Sequence, residues 1–211
     1  FSICIAFLHD LFSSLWLFSF ITLSGRSKKL VNSLKQRDSY IICLAALSGG
    51  PIGMSCYILG IYYSNASIAA TISTIYPALG CLFAYIFLRV KTTFVNFLGL
   101  LLVIITTAYI GLNLDSFNQI SLLGFLFSLG CAVGWGLEST ICSYALKNNL
   151  SYEIALFLRQ LTSSVIYFLI IALFFKTEAL AVADIILNNS LILTMAVIAI
   201  FGALSYLFYY R

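Results

Sequence analysis

The sequence predicts an all-α, polytopic membrane protein. Of its 211 residues, 62% are apolar and 9% are charged, and the mean hydropathy is +1.07. Soluble domains average roughly 45–50% apolar and about 25% charged residues, so this chain cannot form an ordinary water-exposed surface. Its apolar content also excludes a disordered chain.

Seven apolar runs bounded by polar residues predict the individual spans. They cover residues 1–23, 40–62, 66–88, 94–112, 121–146, 153–175 and 190–210. At about 1.5 Å of rise per residue, helices of these lengths cross a hydrocarbon core of roughly 30 Å. The runs lack the alternation of polar and apolar residues that is typical of membrane β-barrels, so each run is predicted to be a helix.

The basic residues predict the orientation in a cell membrane. Five of them lie in the loop 24–39, Arg89 and Lys91 lie in the turn 89–93, and Lys147 begins the loop 147–152. Short cytoplasmic loops carry an excess of Lys and Arg. We therefore expect these three loops to face the cytoplasm and the Phe1 end to lie outside, so that the net charge of +4 reflects sidedness and not a nucleic-acid partner.

Charged residues inside the predicted spans are candidates for chemistry, because they are costly at membrane depth. Glu138 and Arg159 flank the loop 147–152 at nearly equal distances, which predicts an ion pair at similar depth. Such a pair either clasps two helices together or lines a transport pathway, and both interpretations stay open. In the first span, Asp10 is expected to face the bundle interior, and the adjacent His9 is more plausibly a partnered histidine than a proton relay.

Helix-breaking residues interrupt two of the predicted spans. Gly50 and Pro51 fall in the second span and Pro77 falls in the third. Because proline removes a backbone hydrogen bond, these breaks indicate a transporter site, although proline and glycine are also common in membrane helices.

An internal repeat is indicated at an offset of 149 residues. It places His9–Asp10 against Leu158–Arg159, and it places Gly53 and Tyr57 against Gly202 and Tyr206. The second copy begins five spans after the first. Because five is an odd number, the two copies would be inverted relative to each other in the membrane, as in many transporters.

Several motifs resemble those of the drug/metabolite transporter superfamily, specifically its EamA-type proteins. The motifs are Ala66-Ser67-Ile68-Ala69-Ala70 with Tyr76-Pro77 and Leu88, Tyr57 with Gly60 and Tyr63, Asn96-Phe97-Leu98-Gly99, and Trp135-Gly136. The resemblance implies ten helices in two inverted five-helix repeats, of which this chain would hold helices 2 to 8. Residues 1–112 would then form the first repeat without its first helix, and residues 121–211 would begin the second.

The same resemblance implies a secondary transporter that works by alternating access. Its cavity would include Tyr57, Tyr76, Trp135 and Tyr206, with Glu138 and Arg159 as the charged pair nearest the path. This aromatic, weakly polar wall favours amino-acid-like or amphipathic metabolites, and we expect export across the cytoplasmic membrane, with protons as a candidate coupling ion.

Other functions fit the sequence less well. No nucleophile or metal-ligand cluster is apparent, so we expect no enzyme activity, cofactor or metal. A nucleotide-sugar or sugar-phosphate carrier of the same superfamily would need several basic residues in its cavity, and only Arg159 lies within a span.

A seven-helix receptor is the alternative from another class. The expected partners are the lipid bilayer and a small-molecule substrate.

Overall fold

A computed structural model describes residues 2–90, 93–112, 121–147, 150–175, 180 and 191–210. Within these ranges the regular structure is helical and no strand occurs. The predicted all-α membrane class is therefore confirmed.

Ten α-helices and one π-helical turn are defined in this part of the chain. In chain order they are α1 (Ser2–Leu23), α2 (Ser27–Ser33), α3 (Arg37–Leu47), the π turn (Ser48–Gly53), α4 (Met54–Tyr63), α5 (Ala66–Ser73), α6 (Tyr76–Leu88), α7 (Phe94–Leu112), α8 (Leu122–Leu146), α9 (Tyr152–Phe174) and α10 (Leu191–Tyr210).

Five helical stretches, two of them interrupted, are long and apolar enough to cross a membrane. They are Ser2–Leu23, Arg37–Tyr63, Ala66–Leu88, Leu122–Leu146 and Tyr152–Phe174. Two further apolar stretches, Phe94–Thr107 and Ile192–Ser205, are shorter, and spanning by these two stays a prediction.

Local signals in the sequence account for several helix ends. Gly25 adopts a positive φ of 70° just after α1, a conformation that glycine accepts without steric cost. The side chain of Asn65 caps α5 by accepting a hydrogen bond of 2.8 Å from the Ile68 amide. At the other end of this span, Arg89 adopts the left-handed conformation and ends α6.

The chain divides into two compact units. The first unit comprises Phe1–Ala46 and Ala145–Arg211, and the second comprises Leu47–Tyr144. Each unit includes helices from both predicted repeats, 1–112 and 121–211. The division into inverted repeats stays a prediction.

Helix α1 packs against α9 and α10 in the first unit. Phe7 contacts Phe168 and Phe18 contacts Phe157, with ring centroids 6.1 and 5.9 Å apart. The Ser13 hydroxyl donates a hydrogen bond of 3.2 Å to the carbonyl oxygen of Ala199 on α10. Aromatic and polar contacts therefore both join the three helices.

An ion pair joins the loop after α1 to the start of α9. The Arg26 guanidinium contacts the Glu153 carboxylate, which is buried in the first turn of α9. The second carboxylate oxygen of Glu153 has no hydrogen-bond partner among the described residues. The buried Glu153 carboxylate is therefore stabilised mainly by Arg26, since desolvation disfavours an isolated charge.

Arg26→Gln is therefore expected to lower the free energy of unfolding by about 1–3 kcal/mol, because it leaves a buried carboxylate unpaired. The double variant Arg26→Gln/Glu153→Gln is expected to recover part of that loss. Thermal unfolding in detergent measures both effects. If the stability losses of the two single variants, Arg26→Gln and Glu153→Gln, simply add in the double variant, the two side chains are not coupled.

Candidate functional site

The π turn Ser48–Gly53 interrupts the second predicted span at its Ser-Gly-Gly-Pro sequence. Pro51 has no backbone N–H, and its ring clashes with the carbonyl one turn earlier, so a regular α-helical turn is disfavoured here. Gly49, Gly50 and Pro51 are buried. The turn therefore places irregular backbone inside the second unit, where its polar groups need partners.

Trp135 on α8 makes the most specific contact with this turn. Its indole N–H donates a hydrogen bond of 3.0 Å to the Gly49 carbonyl oxygen. One residue earlier on α8, a Cβ added at Gly134 would lie 2.6 Å from the Ser48 carbonyl oxygen. Only glycine allows α8 to approach the turn this closely, and the approach brings the indole within hydrogen-bonding distance.

Two tyrosines surround the Trp135 ring. Tyr57 on α4 lies with its ring centroid 5.7 Å away, at an interplanar angle of 34°. Tyr76, at the start of α6, lies 5.6 Å away in an edge-to-face arrangement of 86°. All three rings are half-buried. Together they form the aromatic cluster, which we define as Tyr57, Tyr76 and Trp135.

Glu138 lies three residues after Trp135, on the same face of α8. Its residue surface is only 8% exposed. The carboxylate occupies the space into which a side chain at Gly49 would project, and a Cβ built there would lie 2.8 Å from Glu138 Cβ. Glu138 also takes part in further interactions within the structure. The absence of a side chain at Gly49 therefore lets a carboxylate lie beside the aromatic cluster.

Close packing between α6 and α8 holds the other side of the cluster. A Cβ at Gly136 would lie 3.1 Å from the Gly80 amide nitrogen and 3.3 Å from the Tyr76 carbonyl oxygen. The Thr140 hydroxyl donates to the Gly80 carbonyl oxygen at 3.1 Å. Helix α5 ends at Ser73, and α6 begins at Tyr76, directly before Pro77. This start of α6 places the Tyr76 ring beside Trp135.

A second buried polar group lies in the first unit. Asp10 and Arg159 are each 6% exposed, and Arg159 Nη1 lies 3.9 Å from Asp10 Oδ1. Asp10 Oδ1 also lies 3.0 Å from His9 Nδ1, and Arg159 donates to Gln160 Oε1 at 3.0 Å. Arg159 takes part in further interactions as well. Opposite charges at this distance offset much of the cost of burying either one.

The structure thus distributes the sequence-predicted site residues over two units. Those in the second unit are Tyr57, Tyr76, Trp135, Glu138, Gly50, Pro51 and Pro77. Arg159 lies in the first unit, beside Asp10. The Glu138–Arg159 pair stays a prediction, and the side chain of Tyr206 lies outside the described residues.

Gly49, which contacts both Trp135 and Glu138, is not among the predicted site residues. The only signal is its place in the run Ser48-Gly49-Gly50-Pro51, in which Gly50 and Pro51 are the more obvious helix breakers. Within the described ranges, no group of three or more His, Cys, Asp or Glu residues is placed to hold a metal ion. The groups described at the site are aromatic rings, one carboxylate and backbone carbonyls.

Gly49→Ala is expected to lower the free energy of unfolding, because the new methyl group overlaps the Glu138 carboxylate. Overpacking of this kind costs about 1–3 kcal/mol. Gly99→Ala is the matched control, since a Cβ there would contact nothing within 4 Å and position 99 lies in a helix. Thermal unfolding of the two variants in detergent measures the difference. A Gly49→Ala protein that is as stable as the Gly99→Ala protein would contradict the assigned contact.

Comparisons with known proteins identify similar sequences. The chain matches the EamA-like transporter family over residues 2–112. It is also 34% identical over 169 residues to Protein LicB of Haemophilus influenzae, a match that covers 80% of this chain and 56% of that protein. The chain thus spans little more than half the length of this curated relative.

Proposed function

Because this chain belongs to the EamA-like transporter family, we propose that it binds and carries small organic solutes that combine an apolar body with a protonated amine. The observation that supports this substrate class is the buried Glu138 carboxylate beside the aromatic cluster. Membership in a transporter family also favours transport over the seven-helix receptor that the sequence alone leaves open.

The chemistry of the cluster matches such a solute. Faces of Trp and Tyr attract cations that approach within about 6 Å of the ring, and the attraction grows when water is excluded. A carboxylate at the same place supplies the opposite charge and accepts hydrogen bonds from the amine. Amino-acid-like and amphipathic amines therefore suit this site better than small hard ions do.

The transport mechanism we propose is alternating access. The π turn and the α5–α6 break lie in two neighbouring helical stretches beside the cluster, and interrupted helices of this kind form the substrate sites of many secondary transporters. Export and proton coupling, both expected from the sequence analysis, stay predictions. Flux measured in vesicles of known orientation, with and without a proton gradient, tests each of them separately.

A carrier of nucleotide sugars or sugar phosphates is not favoured by this site. Such substrates carry phosphate groups, which proteins usually bind with several Lys or Arg side chains. The charged group described beside the aromatic cluster is acidic and would repel them.

Flux of radiolabelled solutes into proteoliposomes tests the proposal. We expect saturable flux of at least one amine-bearing solute, identified beforehand by the thermal stabilisation it confers on the protein. Glu138→Gln is expected to reduce that flux at least tenfold. Flux that the variant leaves unchanged, or a protein that carries phosphorylated sugars instead, would contradict the proposed substrate class.

A further inference from the structure

The connection between α1 and α3 concentrates positive charge. Residues 24–37, which we name the basic connector, carry five of the eleven basic residues in the chain and no acidic residue, and one carboxylate, Asp38, follows them directly in α3. Like charges so close together repel one another. The connector therefore favours the approach of negatively charged groups.

Helix α2 and its contacts with α3 fix the backbone that carries these basic side chains. Helix α2 lies in the middle of the connector, and its residues Leu30 and Ser33 are buried. The Ser39 hydroxyl donates a hydrogen bond of 2.6 Å to the Ser33 carbonyl oxygen, which ties the end of α2 to α3. The basic side chains are thus displayed by a folded segment.

Most of these cations lack a partner in the part of the chain that the structure describes. Arg26 contacts Glu153, but the other four basic residues are exposed and make no ion pair there: Lys28, Lys29, Lys35 and Arg37. Two apolar side chains lie among them, since Val31 and Leu34 are 57% and 46% exposed. Exposed cations beside exposed apolar groups are typical of segments at a membrane surface.

We propose that the basic connector binds the headgroups of anionic phospholipids. The connector lies at the membrane surface, because one candidate span ends at Leu23 and the next begins at Arg37. Lipid phosphates supply the negative charge that the segment lacks, while Val31 and Leu34 contact the upper acyl chains. This inference is independent of the solute that the protein carries.

Competition between lipids, followed by native mass spectrometry of the purified protein, tests the proposal. With equal amounts of phosphatidylglycerol and phosphatidylcholine, the unmodified protein is expected to retain phosphatidylglycerol preferentially. Each basic residue near an anionic surface strengthens binding about fivefold, so Lys28→Gln/Lys29→Gln/Lys35→Gln is expected to reduce the preference on the order of 100-fold.

The charge-matched control replaces the same three lysines by arginine and is expected to keep the preference. Salt provides a second measurement on the unmodified protein, in which raising NaCl from about 0.05 to 0.5 M is expected to weaken phosphatidylglycerol retention. The proposal is overturned if the unmodified protein retains both lipids equally. It is also overturned if the glutamine variant keeps its preference, or if salt has no effect.

Discussion

Replacing Arg159 by methionine is expected to lower the free energy of unfolding by about 3–5 kcal/mol, because removing one member of a buried ion pair leaves the other charge uncompensated. The remaining charged group is Asp10, which is 6% exposed, lies 3.9 Å from Arg159 and would keep only its contact of 3.0 Å with His9 among the contacts described above. Methionine retains much of the volume of the arginine stem, so the loss reports the charge. Thermal or denaturant unfolding in detergent measures the effect.

A double-mutant cycle identifies the partner of Arg159. The double variant Asp10→Asn/Arg159→Met is expected to regain most of the lost stability, since replacing a whole buried pair with neutral groups is often close to neutral. The matched cycle uses Glu138→Gln/Arg159→Met. If only the Glu138 variant restores stability, Arg159 depends on Glu138, as the sequence analysis predicts, and not on Asp10.

Replacing Trp135 by alanine is expected to have the second large effect, on both folding and transport. The change removes two ring contacts and leaves the Gly49 carbonyl oxygen without the indole N–H. Deleting a fully buried large aromatic side chain costs about 3–5 kcal/mol in stability, and deleting the half-buried Trp135 is expected to cost somewhat less. Under the proposed function, solute flux in proteoliposomes is also expected to fall at least tenfold.

Trp135→Phe separates the ring from its hydrogen bond. Phenylalanine keeps an aromatic face but cannot donate to Gly49, so a loss of about 1–3 kcal/mol is expected. The turn then loses one of its restraints, and we expect a higher apparent KM for the solute. Trp16→Phe is the control, because Trp16 is 45% exposed and lies in the other unit. Equal kinetics in the two phenylalanine variants would contradict the role assigned to Trp135.

The long helices could be predicted closely from the sequence, because each follows from a long apolar run, whereas the short polar helix α2 lies in the predicted loop 24–39. The predicted spans 66–88 and 121–146 match Ala66–Leu88 and Leu122–Leu146 to within one residue. The second stretch begins three residues earlier than predicted, at Arg37. A hydropathy pattern places polar residues in loops, yet a helix extends past them when its backbone hydrogen bonds are satisfied.

The geometry of the site could be predicted only in part. The aromatic residues and Glu138 stand out as polar or bulky groups within apolar spans, so the sequence analysis finds them. The contact between Gly49 and Glu138 does not follow from any local pattern, because it depends on a wide turn meeting a helix that is distant in the chain. The hydrogen bond from Trp135 to Gly49 does not follow from the sequence for the same reason.

The contact between Asp10 and Arg159 was difficult to predict, because the two residues are far apart in the sequence. Equal separation from one loop favours Glu138 as the partner of Arg159, since that reasoning considers only adjacent spans. Asp10 lies 149 residues away in sequence, yet α1 packs against α9. The internal offset of 149 residues does place Asp10 and Arg159 at equivalent positions, and that was the available signal.

Intrinsic fluorescence of Trp135 tests the proposed solute site most directly. The chain has two tryptophans, so Trp16→Phe leaves Trp135 as the single reporter. We predict that a carried amine changes the emission of this protein saturably, at concentrations matching those that half-saturate flux, and that Glu138→Gln removes the change. A solute that is carried at the normal rate without altering Trp135 emission would contradict the assignment of this cluster as the binding site.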